Sequence, residues 1–254
     1  MPALILAKYT IKLYIRERVL LIVLLFGFIL MISSYVLAPI AVGAQQKIVV
    51  DVGLASISIL GILLIILFGA SSFYREREKG ILSSLLSKPI SRVDFILGKY
   101  AGTAVTVIAV MMLMAILHLF VMLLSGVDLN AQIFWAVYLS LIEASVITSV
   151  MAFFSSFTTP VLGSFFTLCV LVSGTLSKDL LAFAEQFGEG AFKVMTKFFY
   201  YLLPNLSLFN ARQEAVHNLP LQEGYIYSVT IYGIFYTLFM LFLSALIFRR
   251  RDVR

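Results

Sequence analysis

The sequence contains little charge, two histidines, one cysteine and one tryptophan. Only 13% of its 254 residues are charged and 61% are hydrophobic, with a mean hydropathy of +1.04. Soluble domains carry roughly 25% charged residues, so this composition excludes a globular protein that covers itself with polar side chains. The two histidines are His118 and His217, and no His-Glu-x-x-His pattern is present. We therefore expect no hydrolase site and no enzyme activity from this chain alone.

Two kinds of binding site are also missing from the sequence. The chain lacks the Gly-x-x-x-x-Gly-Lys-[Ser/Thr] loop that binds nucleotide phosphates, so ATP-driven work would require a partner chain. The single cysteine, Cys169, can form neither an intrachain disulfide nor a multi-thiolate metal site. Because free cysteine is among the most buried residue types, we expect a small buried hydrophobic side chain at Cys169.

What the sequence does contain is a series of long apolar runs. A membrane-spanning helix needs about 20 apolar residues to cross about 30 Å of hydrocarbon. We therefore predict an all-α polytopic membrane protein with six spans in a single transmembrane permease domain, residues 1–254. The predicted spans are residues 19–42, 52–74, 95–124, 133–157, 159–180 and 228–248, and the fifth is the shortest apolar run.

Lysine and arginine residues predict the orientation of these spans. Four lie before the first span, six between the end of the second span and the first turns of the third, where Lys99 lies, and four after the last. Together these are 14 of the 19. An excess of cations marks the cytoplasmic side, so both termini are predicted to be inside, in the bacterial inner membrane. A five-span alternative would place the terminal arginine cluster outside. A cleaved signal peptide is not expected, because signal peptides have apolar regions of only about 7–15 residues.

Two segments are predicted to lie along the membrane surface. Residues 1–18 are predicted to form an interfacial helix, because Lys8, Lys12 and Arg16 fall four apart on one stripe of an otherwise apolar segment. A basic flank that only orients the first span is the simpler alternative. Residues 181–227 are rich in aromatic side chains, which predicts an external re-entrant element, or one at headgroup depth, before the last span.

Residues 75–94 are predicted to form a cytoplasmic coupling loop. Five successive charges extend the second span, after which Gly80 can end the helix. Pro89 then stops a short second helix, because proline disfavours helical backbone at the preceding residue. Ser91 and Asp94, three apart, predict a capping box at the start of the third span.

The short helix of this loop carries three apolar side chains at helical spacing, Leu82, Leu85 and Leu86. Leucines on a charged cytoplasmic loop would face water unless another surface buries them. Two interpretations remain: the helix docks on a soluble protein, or it lies on the membrane surface.

Residues 76–102 resemble the first cytoplasmic loop of the ABC transporter type-2 permease family. The matching residues in this segment are Glu78, Gly80, Leu85-Leu86-Ser87, Pro89, Ser91-Arg92 and Gly98-Lys99. Two further segments are similar to that family, Tyr201-Leu202-Leu203-Pro204-Asn205 and Phe248-Arg249-Arg250-Arg251-Asp252. Within the family, the sequence resembles the branch of nitrous-oxide-reductase maturation permeases.

The resemblance implies a permease subunit of an ATP-driven exporter. It implies a second copy of this chain or a related permease, and a separate cytoplasmic ABC ATPase that holds ATP and magnesium. This chain would carry no cofactor of its own, membrane lipid would be its other partner, and no nucleic acid is expected. The residues to which the resemblance assigns ATPase coupling are Glu78, Gly80, Leu82, Leu85, Leu86, Pro89 and Arg92.

Two other functions stay open beside export. One is a channel or secondary carrier that needs no ATPase, which inverted repeats with broken helices would favour. The sequence shows no such repeat. The other is an ABC-type assembly complex that transmits mechanical work without moving a solute.

Glu143 falls in the middle of the fourth predicted span. A carboxylate at the centre of a bilayer costs roughly 2.5–3.5 kcal/mol, so this side chain should face protein or water. A place on a substrate path and a hydrogen bond to a serine or threonine of another helix are both open.

The third predicted span contains a histidine and a glycine pair. His118 lies four residues after Met114, and histidine with methionine suits a soft metal ion. In the alternative interpretation, which is the more common one, the methionines fill the core and the histidine bonds to a polar partner. Gly98 and Gly102 are spaced for close packing against another helix.

Overall fold

The computed structural model of the chain describes residues 2–37, 44–78, 91–179, 182, 186, 193–197, 200 and 203–250. Every regular element in these residues is helical. The principal helices are α1 (Pro2–Ile15), α2 (Arg18–Leu37), α3 (Gln45–Glu78), α4 (Arg92–Leu124), α5 (Ala131–Ser155), α6 (Pro160–Thr175), α7 (Arg212–His217) and α8 (Tyr225–Arg250). A 3₁₀ turn, Leu206–Phe209, precedes α7.

The expectation of an all-α polytopic membrane protein is confirmed. Within the described residues, four stretches are long and apolar enough to cross a membrane, Gln45–Phe68, Val93–Leu124, Ala131–Phe157 and Tyr225–Phe248. Two shorter apolar helices, Leu20–Ser33 and Pro160–Thr175, coincide with the first and fifth predicted spans. That all six helices cross the bilayer stays a prediction.

The ends of the helices follow local sequence signals. Asn130 precedes α5, and its side-chain oxygen accepts a hydrogen bond from the Ile133 amide at 3.0 Å, which satisfies one of the free donors at a helix start. Pro160 occupies the first turn of α6, where its missing N–H costs nothing. The connection between α4 and α5 turns at Gly126, whose φ of +64° is a left-handed conformation that glycine adopts without strain.

Helix α5 lies at the centre of the bundle, where it contacts α3, α4, α6, α7 and α8. Hydroxyl pairs connect it to three of these neighbours. Ser140 lies 3.1 Å from Ser58 of α3, Ser145 lies 2.7 Å from Tyr100 of α4, and Tyr138 lies 3.1 Å from Thr230 of α8, with all distances between oxygens. Such bonds hold neighbouring helices in register because lipid offers these groups no other partner.

The prediction of a buried Cys169 is wrong. This side chain is exposed on α6, beside the exposed Phe165 and Val172. The expectation took its burial preference from proteins in water, where an apolar side chain gains by leaving the solvent. In a membrane, lipid covers the outer face of a helix, so an apolar side chain can remain there without that cost.

Candidate functional site

The loop to which the sequence assigns coupling is only partly included in the described residues. Gly80, Leu82, Leu85, Leu86 and Pro89 lie outside them. Glu78 is the last residue of α3 and Arg92 the first of α4, but their side chains also lie outside the described part.

The structure does describe the helices next to the loop. We call this region the loop end: it consists of α1, the last turns of α3 and the first turns of α4. The predicted start of α4 is confirmed, since Ser91 is its N-cap. The Ser91 hydroxyl oxygen accepts a hydrogen bond from the Asp94 amide at 3.0 Å and donates to the Asp94 carboxylate at 2.7 Å. The loop therefore ends where the Ser91 cap fixes the start of α4.

Gly98 and Gly102 are the places where α1 lies closest to α4. A methyl group on Gly98 would lie 2.7 Å from the carbonyl oxygen of Ala3, and one on Gly102 would lie 2.6 Å from Cβ of Thr10. Carbon atoms in contact are normally about 3.5–4.0 Å apart, so no larger residue fits without moving α1. The glycine pair packs against α1 of the same chain, and what it does in coupling stays a prediction.

Tyr14 extends this contact to α3. Its side chain is 1% exposed, and its hydroxyl donates to the carbonyl oxygen of Phe68 at 3.0 Å. The same hydroxyl lies 3.2 Å from the Thr103 hydroxyl of α4, and the Tyr14 ring packs against Phe68 with their centroids 4.6 Å apart. One side chain of α1 therefore contacts both helices that flank the loop.

Lys99 is a buried cation at the same level. It is 1% exposed, and its Nζ lies 6.0 Å from the centre of the Tyr9 ring, within the range of a cation–π contact. Lys99 was one of the residues behind the family resemblance. In the structure it lies between α4 and α1, one residue from the Gly98 contact.

Glu143 lies inside the bundle. It is 7% exposed on α5, between the fully buried Leu139 and Val146, and no described residue hydrogen-bonds its carboxyl group. The proposed bond to a serine or threonine is therefore not found in the described part of the chain. A role on a substrate path stays a prediction.

His118 is buried in α4 against the backbone of α3. Its ring lies directly over Gly53, where any larger residue would collide with the imidazole. Neither ring nitrogen has a hydrogen-bond partner among the described residues, which corrects the expectation of a polar partner. On the same face of α4, Met111 packs against Gly61 and Met114 against Gly27. His118 and these two methionines therefore occupy space that is available because the facing residues are glycines.

The part of the chain that the structure describes contains no group of three histidine, cysteine, aspartate or glutamate side chains able to hold a metal ion. Binding of a soft metal at His118 stays a prediction.

Asn205 holds together the opposite end of the bundle. We call this the far end: the 3₁₀ turn, α7 and the adjoining ends of α5, α6 and α8. The Asn205 side-chain oxygen accepts hydrogen bonds from the hydroxyls of Ser177 at 2.8 Å and Ser207 at 2.6 Å. Its side-chain amide donates to Tyr200 at 3.3 Å, and its backbone amide donates to Tyr232 of α8 at 2.8 Å.

The far end also contacts α6 and α3. The carbonyl oxygen of Pro204 and the side chain of Leu206 approach Gly174 so closely that a methyl group there would lie 2.6 Å from the oxygen. Arg212 of α7 pairs with Asp51 near the start of α3, with Nε 2.9 Å from the carboxylate oxygen. Sequence reasoning noticed Asn205 only through the family resemblance, and it did not find the Asp51–Arg212 pair.

The chain matches the family described as ABC-2 family transporter protein over residues 4–253. No curated protein matches it. The match spans nearly the whole chain, including both ends of the bundle and all six apolar helices. The protein therefore belongs to the ABC-2 transporter family and is a multi-pass membrane component of that kind.

Proposed function

We propose that the chain is the membrane-spanning subunit of an ATP-driven exporter in the bacterial inner membrane, coupled to a separate ATPase chain through residues 75–94. Family membership supports this, because such permeases generally work with a cytoplasmic ABC ATPase. The chain itself has no phosphate loop. ATP and magnesium would therefore be held by the partner, and a second copy or a related permease would complete the membrane part.

The observation that carries this proposal is the construction of the loop end. A motion of an ATPase does work on the membrane only if the contact that receives it is stiff. The loop leaves α3 and enters α4, and α1 contacts both helices through Gly98, Gly102 and Tyr14. Densely packed helices shift as units rather than deform, so a push on residues 79–90 would move α3 and α4 together.

The test of coupling uses the loop leucines. We expect Leu85→Asp with Leu86→Asp to insert and fold normally but to lose the ATPase on co-purification, and substrate-stimulated ATP hydrolysis should fall to background. The reason is that a fully buried leucine contributes roughly 1.5–3 kcal/mol, and a charged side chain would also be buried at the contact. Measurements are the stoichiometry of the purified complex and its ATPase rate in vesicles.

The matched control is Leu219→Asp, at an exposed leucine of the far end. It carries the same chemical change away from the loop and should leave both measurements unchanged. If the double variant holds its ATPase at wild-type stoichiometry and transports normally, residues 75–94 are not the coupling element.

The topology has its own test, in a Cys169→Ser background. Single cysteines at Asp128 and Gln222, both exposed at the far end, should react with a membrane-impermeant maleimide in intact cells. A cysteine at Ser87 should not react until the cells are opened. Labelling of the Ser87 position in intact cells would contradict the proposed orientation, because it would place this loop outside.

A further inference from the structure

Helix α1 has a buried side and an exposed side. Leu6, Thr10 and Tyr14, four apart, are buried against the bundle. The exposed side carries a basic stripe, Lys8 and Lys12, which Arg16 continues just past the end of the helix. The apolar Leu4 and Ile15 lie on the same exposed side, at 62% and 66% exposure. A helix that is buried on one side and carries basic and apolar side chains on the other is suited to the boundary between hydrocarbon and headgroups.

Two cations of the basic stripe line a cavity of about 430 Å³. Its lining residues are Tyr9, Lys12, Leu13, Arg16 and Glu17. Lys8 has the same charge on the same stripe but does not line the cavity. The volume is within the roughly 300–1,000 Å³ that is usual for small-ligand sites.

The depth of this cavity in the membrane follows from Tyr14. The Tyr14 hydroxyl bonds to the carbonyl of Phe68, and Phe68 lies seven residues before Arg75, the first of the charges that end the second apolar run. At 1.5 Å per residue, that distance is about 10 Å along α3. Lys12 and Arg16 flank Tyr14 on α1, so the cavity lies close to where hydrocarbon gives way to headgroups.

We propose that this cavity binds the phosphate of an anionic phospholipid headgroup, with Lys12 and Arg16 as its cationic ligands. Arginine presents a planar set of donors that matches phosphate oxygens, and lysine supplies a point charge. Tyr9 and Leu13 line the cavity with aromatic and apolar surface, suited to the glycerol and first methylenes of a lipid. Among the described lining residues Glu17 is acidic, and its charge disfavours a second phosphate.

The charges of the cavity favour an anionic lipid over a zwitterionic one. Two cations against one carboxylate leave the lining positive, and the buried Lys99 lies beneath Tyr9. A choline or ethanolamine headgroup would bring a cation towards Lys12 and Arg16, at a cost that phosphatidylglycerol does not incur. The inference does not depend on the transport function, since it concerns only what α1 binds.

The experiment measures lipid binding to the purified full-length protein in detergent. Phosphatidylglycerol or phosphatidylcholine is titrated in, and bound lipids are counted by native mass spectrometry. The wild type should bind phosphatidylglycerol more tightly. Each Lys or Arg near a membrane surface contributes about 1 kcal/mol, which is about fivefold in affinity, so Lys12→Gln should weaken phosphatidylglycerol binding about fivefold. Lys12→Gln with Arg16→Gln should weaken it roughly 25-fold.

Two variants distinguish a built site from general attraction. Lys8→Gln removes the same charge one turn away and outside the cavity, and should change binding less than twofold. Lys12→Arg keeps the charge and should keep the affinity, which excludes misfolding as the cause of a loss. If Lys8→Gln weakens binding as much as Lys12→Gln, α1 attracts anions diffusely and the proposed site does not exist.

A final arm separates a lipid from free phosphate. Inorganic phosphate is added at millimolar concentration to protein loaded with phosphatidylglycerol, and the lipid should remain bound because its chains contact α1. Displacement of the lipid by inorganic phosphate would overturn the assignment to a lipid headgroup.

Discussion

The loop end and the far end of the bundle differ in the balance between close packing and hydrogen bonds. At the loop end, α1 touches α4 through Gly98 and Gly102, with room for no extra carbon atom, and one tyrosine extends the contact to α3. At the far end, the chain between α6 and α8 includes the 3₁₀ turn and makes a close contact at Gly174. It is also held through four hydrogen bonds of Asn205.

This difference bears on how each end responds to force. Close-packed helices have almost no free volume, so a displacement of one is passed to its neighbour. A segment held by side-chain hydrogen bonds can change a partner at a small net cost, about 0.5–1.5 kcal/mol per bond. We therefore expect variants at the loop end to alter coupling, and variants at the far end to alter stability with coupling retained.

The largest effect is expected from Gly102→Leu at the loop end. The new side chain would enter the space of Thr10 and of the Ala7 carbonyl, and overpacking of this kind costs about 1–3 kcal/mol or more. The unfolding free energy in mixed micelles should fall by about 3 kcal/mol, and ATPase stimulation by substrate should be lost. Ala109→Leu, on the exposed face of the same helix, is the control and should be neutral. Normal coupling in Gly102→Leu would show that close packing at the loop end is not needed for coupling.

An intermediate effect is expected from Asn205→Ala at the far end. The variant removes three side-chain hydrogen bonds, with Ser177, Ser207 and Tyr200, each with a net value of about 0.5–1.5 kcal/mol. The unfolding free energy should fall by about 2 kcal/mol, while substrate-stimulated hydrolysis per folded complex stays unchanged. Gln222→Ala removes an exposed amide side chain of the same end and should change neither quantity. Loss of coupling in Asn205→Ala would mean that both ends transmit force.

The smallest effect is expected from Tyr14→Phe. The ring keeps its place against Phe68, and only the hydroxyl bonds to α3 and α4 are lost, at about 0.6 kcal/mol for a typical hydrogen bond between membrane helices. Stability should hardly change, but hydrolysis should become less responsive to substrate because α1 no longer bonds to α3. Tyr9→Phe, at a half-exposed tyrosine of the same helix, is the control. If hydrolysis responds to substrate equally in both variants, α1 contributes to packing and its Tyr14 hydrogen bonds have no part in coupling.

The positions of the helices could be predicted from the sequence because bilayer thickness imposes a simple length rule. The fourth predicted span, 133–157, and helix α5, Ala131–Ser155, differ by two residues at each end. The largest difference at a helix start is at α3, which begins at Gln45 rather than at residue 52. Its first turn is polar and therefore outside the apolar run. It remains helical because glutamine and lysine favour helix, and Gln46 donates to the Gly126 carbonyl at 3.0 Å.

The contacts that define the two ends could not be predicted in the same way. The partners of Tyr14 lie 54 and 89 residues along the chain, and Ser177 lies 28 residues before Asn205. No local pattern encodes such a pairing, since only the packed bundle brings these atoms together. The Gly98 and Gly102 spacing did indicate a close helix contact, but it gave no sign that the neighbour would be the N-terminal helix of the same chain.

The length of α4 has a consequence for the membrane around the protein. Its 33 residues extend about 50 Å at 1.5 Å per residue, whereas the hydrocarbon core is about 30 Å thick. Even at the average tilt of about 20°, more than 10 Å of this apolar helix projects beyond the core. Phe95 and Ile96, in its first turns, are covered by Leu6 of α1 and Phe248 of α8. Because protein covers these apolar side chains, this part of the projection needs no lipid to cover it, whatever the thickness of the bilayer.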